Sequence, residues 1–428
     1  MSANRLFVSV WVAAGWAALA IAGLFSLVPV LLRGPLGASL PDAERVFSLS
    51  LAVHVNASVL FWLSAALNAL HERRYAPNPP PKIFSLSLPL YAIGLICVTA
   101  SAFLPGATPL KNNYVPVVFH PVFFIGLAAF ALHLLCGLIA ATSRFRFLTG
   151  NAVGLAIWGA YATATAGCAL WIIDAAKNPP PHPAALLAWA ESVFWSGGHL
   201  VVAAYGLIAA ALWTQAALRE EEGAADRLLR LAFLVFLMSC AGAALQYLVA
   251  HDSMIWTNHM RAFDAVPALA ASLVALRYAL FAKGTLTKPE RATLVASIAL
   301  FFYGGALGFA IREENAVVPS HYHASIVGIT VAAMGYFLKR EAEGLPKMRR
   351  VSVAYALLLC YAAAQALHVT GLWTMGGYGV LRKAPGSLDG LASAGAKMFF
   401  AGGGLAVLCA AGFAVAFFCV AYARRRAR

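Results

Sequence analysis

Apolar stretches long enough to cross a bilayer, about 20 residues at roughly 1.5 Å of rise each, recur along this chain from one end to the other and leave no interval for a sizeable soluble domain. In hydrocarbon every backbone N–H and C=O needs a partner within the chain, so runs of this kind fold as helices. Run length and the polar or proline-rich breaks between runs place them at Leu6–Leu32, Val46–Leu70, Ile83–Leu104, Pro116–Ala141, Asn151–Ala175, Ala184–Leu218, Leu228–Ala250, Met260–Ala282, Ala292–Ile311, Ser320–Leu338, Val351–Gly376 and Leu391–Ala423. The expected fold class is all-α: a polytopic membrane bundle of twelve transmembrane helices, with residues 1–428 forming a single integral-membrane domain. A composition of 61% apolar and 11% charged residues is far from that of a soluble domain and agrees. The first run is too long, and too weakly basic at its front, to be a cleaved signal peptide.

The placement of Lys and Arg tests this count, because cytoplasmic loops retain positive charge and an error of one span would scramble the alternation. Arg73 and Arg74, Arg144 and Arg146, Arg227 and Arg230, Lys283 and Lys288, the loop from Lys339 to Arg350, and the tail Arg424–Arg428 all fall on one side with Arg5. That asymmetry puts both termini in the cytoplasm. The net charge of +14 is therefore topological, and the partner it implies is a lipid bilayer rather than nucleic acid. All seven cysteines lie inside apolar runs, none in a CxxC or CxxCH pair, which gives no sign of covalently attached haem, an iron–sulfur cluster or a disulfide framework.

Histidine is where hydrophobic packing stops explaining the sequence. An ionisable group in hydrocarbon is costly and needs a partner or a function. His54 lies a few turns into the second run, His199 within the sixth, His251 at the end of the seventh, and His321 and His323 open the tenth. With the inside-positive topology, all five fall in the outer half of the bundle. A helix turns about 100° per residue, so positions i and i+2 point roughly 200° apart. His321 and His323, in VVPSHYHASIVG, therefore face opposite ways and suit two separate centres better than one shared metal. Imidazole is a usual axial ligand of haem iron.

Taken together, these residues resemble the catalytic subunit (subunit I) of the haem-copper oxidase superfamily. That family has twelve spans, the tenth carrying HxH. The resemblance implies that His321 binds a high-spin active-site haem and His323 a low-spin haem, with His54 in LAVHVNASVLFW as the second low-spin ligand. Trp195, Gly198 and His199 in FWSGGHLVV match the family's W-x-x-G-H element, whose histidine holds a non-haem metal opposite the active-site haem. The seventh span of the family ends in adjacent histidines. Here QYLVAHDSMIW offers His251 followed by Asp252. Two imidazoles and one carboxylate are a ligand set typical of non-haem iron, whereas an all-nitrogen set suits copper better. An iron facing a haem iron is the arrangement of the superfamily's nitric oxide reductases. His259 is a rival to Asp252 for the third position.

A second departure points the same way. Oxygen-reducing members commonly place a tyrosine four residues after the sixth-span histidine, or elsewhere nearby, to supply an electron and a proton. Ala203 stands at that position, and Tyr205 lies about 240° round the helix from His199, as a packing residue would. Before the last span, GYGVLRKAPG resembles the family's basic loop, which implies that Arg382 and Lys383 contact haem propionates; Arg312, in IREENAVVPS with Glu313 and Glu314, stands near the same mouth. The segment NNYVPVVFHP, with Tyr114 and His120, resembles sequences of less-studied reductase branches. Glu191, about two turns before His199, is the clearest acid within a span and could relay protons from outside. His71, His133, His182 and His368 receive no role.

The resemblance thus implies a respiratory oxidoreductase of a prokaryotic cytoplasmic (inner) membrane with two b-type haems, one low-spin and one high-spin. It adds one non-haem metal, iron favoured over copper. Nitric oxide is the favoured substrate, two molecules coupling to nitrous oxide and water, and oxygen reduction is the alternative. With neither a copper-binding soluble domain nor CxxCH in the chain, the electron donor is expected to be an outer-side subunit, a cytochrome c or a cupredoxin-like protein, or else quinol. Many secondary transporters also have about a dozen spans, but transport gives no reason for five outer-half histidines on four helices.

Overall fold

The computed structural model describes residues 9–33, 39–74, 81–217, 223–249, 266–281, 286–312, 315–346, 348–377 and 392–427. In chain order the helices are α1 Val10–Leu32, α2 Ala43–Asn56, α3 Trp62–Arg74, α4 Lys82–Ser101, α5 Pro121–Thr142, α6 Phe145–Leu148, α7 Ala152–Lys177, α8 Leu186–Ala217, α9 Ala224–Val249, α10 Val266–Phe281, α11 Lys288–Phe309, α12 Val317–Ala342, α13 Arg349–Gly377 and α14 Ala392–Arg426. A single π-helical turn, Ala57–Phe61, joins α2 to α3 three residues after His54. Such insertions gather at functional sites because they re-aim the side chains around them.

Ten of these segments are long and apolar enough to cross a bilayer. Two of the runs expected to span fall outside that number among the described residues. The first is α10, with 16 residues described. The other is α12, whose start is diluted by Pro319, Ser320, His321 and His323. The surface confirms a lipid-facing chain: Met238 is 73% and Leu408 71% exposed, while Asn68, His71 and His133 are fully buried. Large apolar side chains on the outer surface, with polar groups also taken into the interior, suit a hydrocarbon solvent.

One departure from the all-helical expectation lies between α4 and α5. The fourth run was expected to begin as helix at Pro116, but Val117–Phe119 is a strand, β2, paired antiparallel with β1, Thr108–Leu110. The helix starts only at Pro121, where the imidazole of His120 caps it by accepting the backbone N–H of Val122 at 3.2 Å. Proline at the first helical position fits that start. The tenth run begins earlier than expected, at Val317, which places the histidine pair in its second turn.

Packing divides the chain into two compact units. One comprises Ala13–Ala22 and Ser48–Ala275, the other Met1–Val12, Gly23–Phe47 and Leu276–Arg428. In the first, α4 packs on α5 and α7 on α8. Its interior holds a polar knot in which Tyr161 donates to Asn68 Oδ1 at 2.7 Å, His71 Nδ1 donates to the Tyr161 hydroxyl at 3.2 Å, and the Asn68 amide donates to His133 Nε2 at 3.4 Å. His71 and His133 thus each bond to a neighbouring side chain, the ordinary fate of a buried imidazole. In the second unit α11 packs on α12 and α13 on α14.

Candidate haem and metal site

In the unit that contains α3 to α9, His54 and His199 share one arrangement. His54 Nδ1 lies 2.9 Å from the carbonyl oxygen of Ala22, and His199 Nδ1 lies 2.7 Å from that of Trp195, one turn earlier on α8. A carbonyl only accepts, so Nδ1 carries the proton in each ring and Nε2 keeps the lone pair. A donated Nδ1–H with Nε2 turned outward is the usual setting of a metal-bound imidazole, because the second hydrogen bond fixes both tautomer and ring orientation.

The surroundings of His199 are built by the segment between β1 and β2, residues 111–116. Asn112 closes it, accepting the Val117 N–H at 3.2 Å, and Asn56 anchors it by donating to the Pro116 carbonyl at 2.8 Å. Asn113 donates to Glu191 at 3.1 Å. Tyr114 lays its ring 4.6 Å from the His199 ring, and its hydroxyl stands 2.8 Å from Nε2. Since Nε2 holds the lone pair, the tyrosine is the donor. The approach depends on Gly198, because any Cβ there would overlap the Tyr114 ring. Trp195 completes the enclosure with its ring 4.7 Å from the imidazole.

In the unit that contains α11 to α14, His321 and His323 leave α12 toward different neighbours, as their two-residue spacing predicts. His321 turns to α11, where Nδ1 donates to the Gly304 carbonyl at 2.7 Å and the ring lies over Gly308. The pair Gly304 and Gly308 is a small-xxx-small face that lets two helix backbones approach closely. His323 donates Nδ1 to the Pro319 carbonyl at 3.2 Å and lies 5.3 Å, ring to ring, from His368 of α13. His368 in turn donates to the Phe399 carbonyl at 3.0 Å. In each of the four described candidates Nδ1 is committed to a backbone carbonyl and Nε2 carries the lone pair, which in His199 accepts from Tyr114; an imidazole in this tautomer suits haem iron or a non-haem metal.

The remaining predicted residues are distributed as follows. Arg312 is exposed just beyond α11. His251, Asp252, His259, Arg382 and Lys383 lie outside the described residues, as do Glu313 and Glu314. Among the described residues no three His, Cys, Asp or Glu side chains gather closely enough to hold a metal ion. Tyr205 is buried in α8.

Sequence reasoning gave Tyr114 no contact with His199; the signal lay in the NNY triplet, each of whose side chains makes a separate bond. It also passed over Asp174 at the end of α7 and Arg33 after α1. Arg33 stacks its guanidinium over Phe47 and Phe399, 5.6 and 5.3 Å from the ring centroids.

No family model matches the chain. A protein of Rickettsia prowazekii described as uncharacterised is 26% identical over 92% of this chain and 91% of its own length. A second uncharacterised protein, from Aquifex aeolicus, is 26% identical over 80% of this chain and 88% of its own. Among solved structures, a haem-copper terminal oxidase dimer determined by cryo-electron microscopy superposes with a TM-score of 0.76, at 16% identity, covering 98% of this chain and 84% of that one. At that identity the likeness is one of architecture, and its conclusion is that this chain has the haem-copper terminal oxidase fold.

Proposed function

We propose that the chain is the catalytic subunit of a respiratory membrane oxidoreductase that reduces nitric oxide, two molecules together, to nitrous oxide and water. It carries two b-type haems and one non-haem iron in a bundle of twelve spans with both termini in the cytoplasm. The observation that carries this reading is the common setting of His54, His199, His321 and His323, each committing Nδ1 to a backbone carbonyl. Of the other imidazoles, His71 and His133 bond to side chains and His120 caps a helix, while His368 shares the setting, through the Phe399 carbonyl.

His54 and His323 hold the low-spin haem and His321 the high-spin one, while His199, His251 and Asp252 hold the iron. When bound, these groups relay electrons and bind the two substrate molecules side by side, converting an intermolecular encounter into a positioned one. Arg382, Lys383 and Arg312 pair with propionates, for which the guanidinium fork is suited. Glu191, held by Asn113, receives protons from the outer side. Tyr114 keeps its proton directed at His199 Nε2. That nitrogen has one lone pair, so this hydrogen bond and metal ligation exclude each other, and loading the site requires the hydroxyl to move. Electrons arrive from an outer-side cytochrome c or cupredoxin-like partner.

Oxygen reduction is a second reading, and Tyr114 favours it: it supplies, from outside α8, the tyrosine that position 203 lacks. Metal analysis of the purified protein beside its reduced-minus-oxidised spectrum separates the possibilities. Two haems with one additional iron support nitric oxide reduction; two haems with copper support oxygen reduction; a colourless protein defeats both.

A further inference from the structure

His368 is buried on α13, 7% exposed, and an imidazole inside a membrane span needs a polar partner or a function. Its Nδ1 donates to the Phe399 carbonyl of α14 at 3.0 Å, and its ring lies 4.5 Å from the Phe399 ring at an angle of 30°. Glycines admit it: a Cβ at Gly402 would overlap the His368 backbone nitrogen, and one at Gly403 would stand 3.0 Å from Nδ1. The ring that α14 fixes in this way lies 5.3 Å, at 51°, from the ring of His323 on α12. His323 is the candidate ligand that most needs such support. Its own bond, to the Pro319 carbonyl, is 3.2 Å, against 2.9, 2.7 and 2.7 Å for His54, His199 and His321. That is the far end of the ordinary N–H···O range, where a hydrogen bond holds a ring plane weakly.

We propose that His368 is a positioning residue for the low-spin haem: anchored on α14, it sets the plane of the His323 imidazole. The inference rests on the assignment of His323 as a ligand of that haem. His368 acts through its ring contact with His323 and not as a ligand itself. A staple joining α13 to α14 would need the bond to Phe399 but not the ring contact, and substitution separates the two.

The test is the electron paramagnetic resonance spectrum of the oxidised, purified holoenzyme, since the g values of a low-spin haem report how its axial imidazole planes are turned; thermal unfolding of the same samples reads the staple. His368→Asn keeps an amide donor for the Phe399 carbonyl but removes the ring. It is expected to unfold close to wild type, yet to shift the low-spin g values and to lose that haem to excess apomyoglobin about 10–100-fold more readily, the usual effect of losing an outer-shell partner. His368→Phe keeps a ring without the donor and is expected to return the g values toward wild type while unfolding at a lower temperature. A Cβ at Gly403 meets only His368 within 4 Å, and one at Gly404 meets nothing. Gly403→Ala is therefore expected to shift the low-spin g values and Gly404→Ala to leave them unchanged; this pair decides the matter should His368→Asn fail to accumulate. Wild-type g values in folded, haem-loaded His368→Asn or Gly403→Ala overturn the positioning role and leave the ligand assignment standing. A low-spin signal that survives His323→Ala overturns the assignment and the positioning role together.

Discussion

Gly308 and Gly305 lie on the same helix, and the structure predicts opposite outcomes for the same substitution. A Cβ at Gly308 meets Cε1 and Nδ1 of His321 at 2.9 Å, about 0.5 Å inside the 3.4 Å at which ordinary contact begins, whereas one at Gly305 meets nothing within 4 Å. If the ring retreats by that amount, the 2.7 Å bond from Nδ1 to the Gly304 carbonyl stretches toward about 3.2 Å, the edge of good geometry. Overpacking costs roughly 1–3 kcal/mol and the weakened hydrogen bond about 0.5–1.5 kcal/mol. Both variants gain the same helix propensity, about 1 kcal/mol for Gly→Ala, so it cancels in the comparison. Gly308→Ala should therefore be less stable than Gly305→Ala by roughly 1.5–4.5 kcal/mol. Unfolding of the two purified proteins in detergent measures the difference, and the high-spin haem spectrum should shift only in Gly308→Ala. Equal stability, with identical spectra, would refute the claim that α11 presses on His321.

Two further substitutions probe the segment around His199. Asn56→Ala removes the amide that donates to Ala52 and to Pro116, both at 2.8 Å, and leaves a buried carbonyl unpaired; it should cost about 1–3 kcal/mol, read as a lower unfolding midpoint. Tyr114→Phe removes the donor to His199. For nitric oxide reduction, turnover of the metal-loaded protein should be essentially unchanged, because the hydroxyl has already left Nε2 in that state. A collapse of turnover would instead favour oxygen chemistry through the tyrosine.

The features legible in the sequence were those that repeat or that cost energy. Apolar runs located the helices because length and hydrophobicity suffice to define a span. The i, i+2 spacing of His321 and His323 predicted that the two rings turn to different helices, since helical twist alone fixes that. What remained hidden depends on partners distant in the chain. The β1–β2 hairpin sits at the head of an apolar run, and Val117–Phe119 carries no local mark separating strand from helix; its register is set by Asn112 and by Asn56, 60 residues from Pro116. Tyr114 is hidden for the same reason, 85 residues from His199. Asp174 lies close to the edge of its helix, where an acid ordinarily faces water, and only packing reveals that it is buried under Ser196 and Tyr247.

The central claim is that two sides of α12 hold two different haems. The most direct measurement is the reduced-minus-oxidised spectrum of His321→Ala beside that of His323→Ala, each purified from membranes. The account predicts selective losses: the first variant keeps the low-spin signature and loses the high-spin one, and the second does the reverse. Both signatures surviving in either variant, with turnover intact, would contradict it.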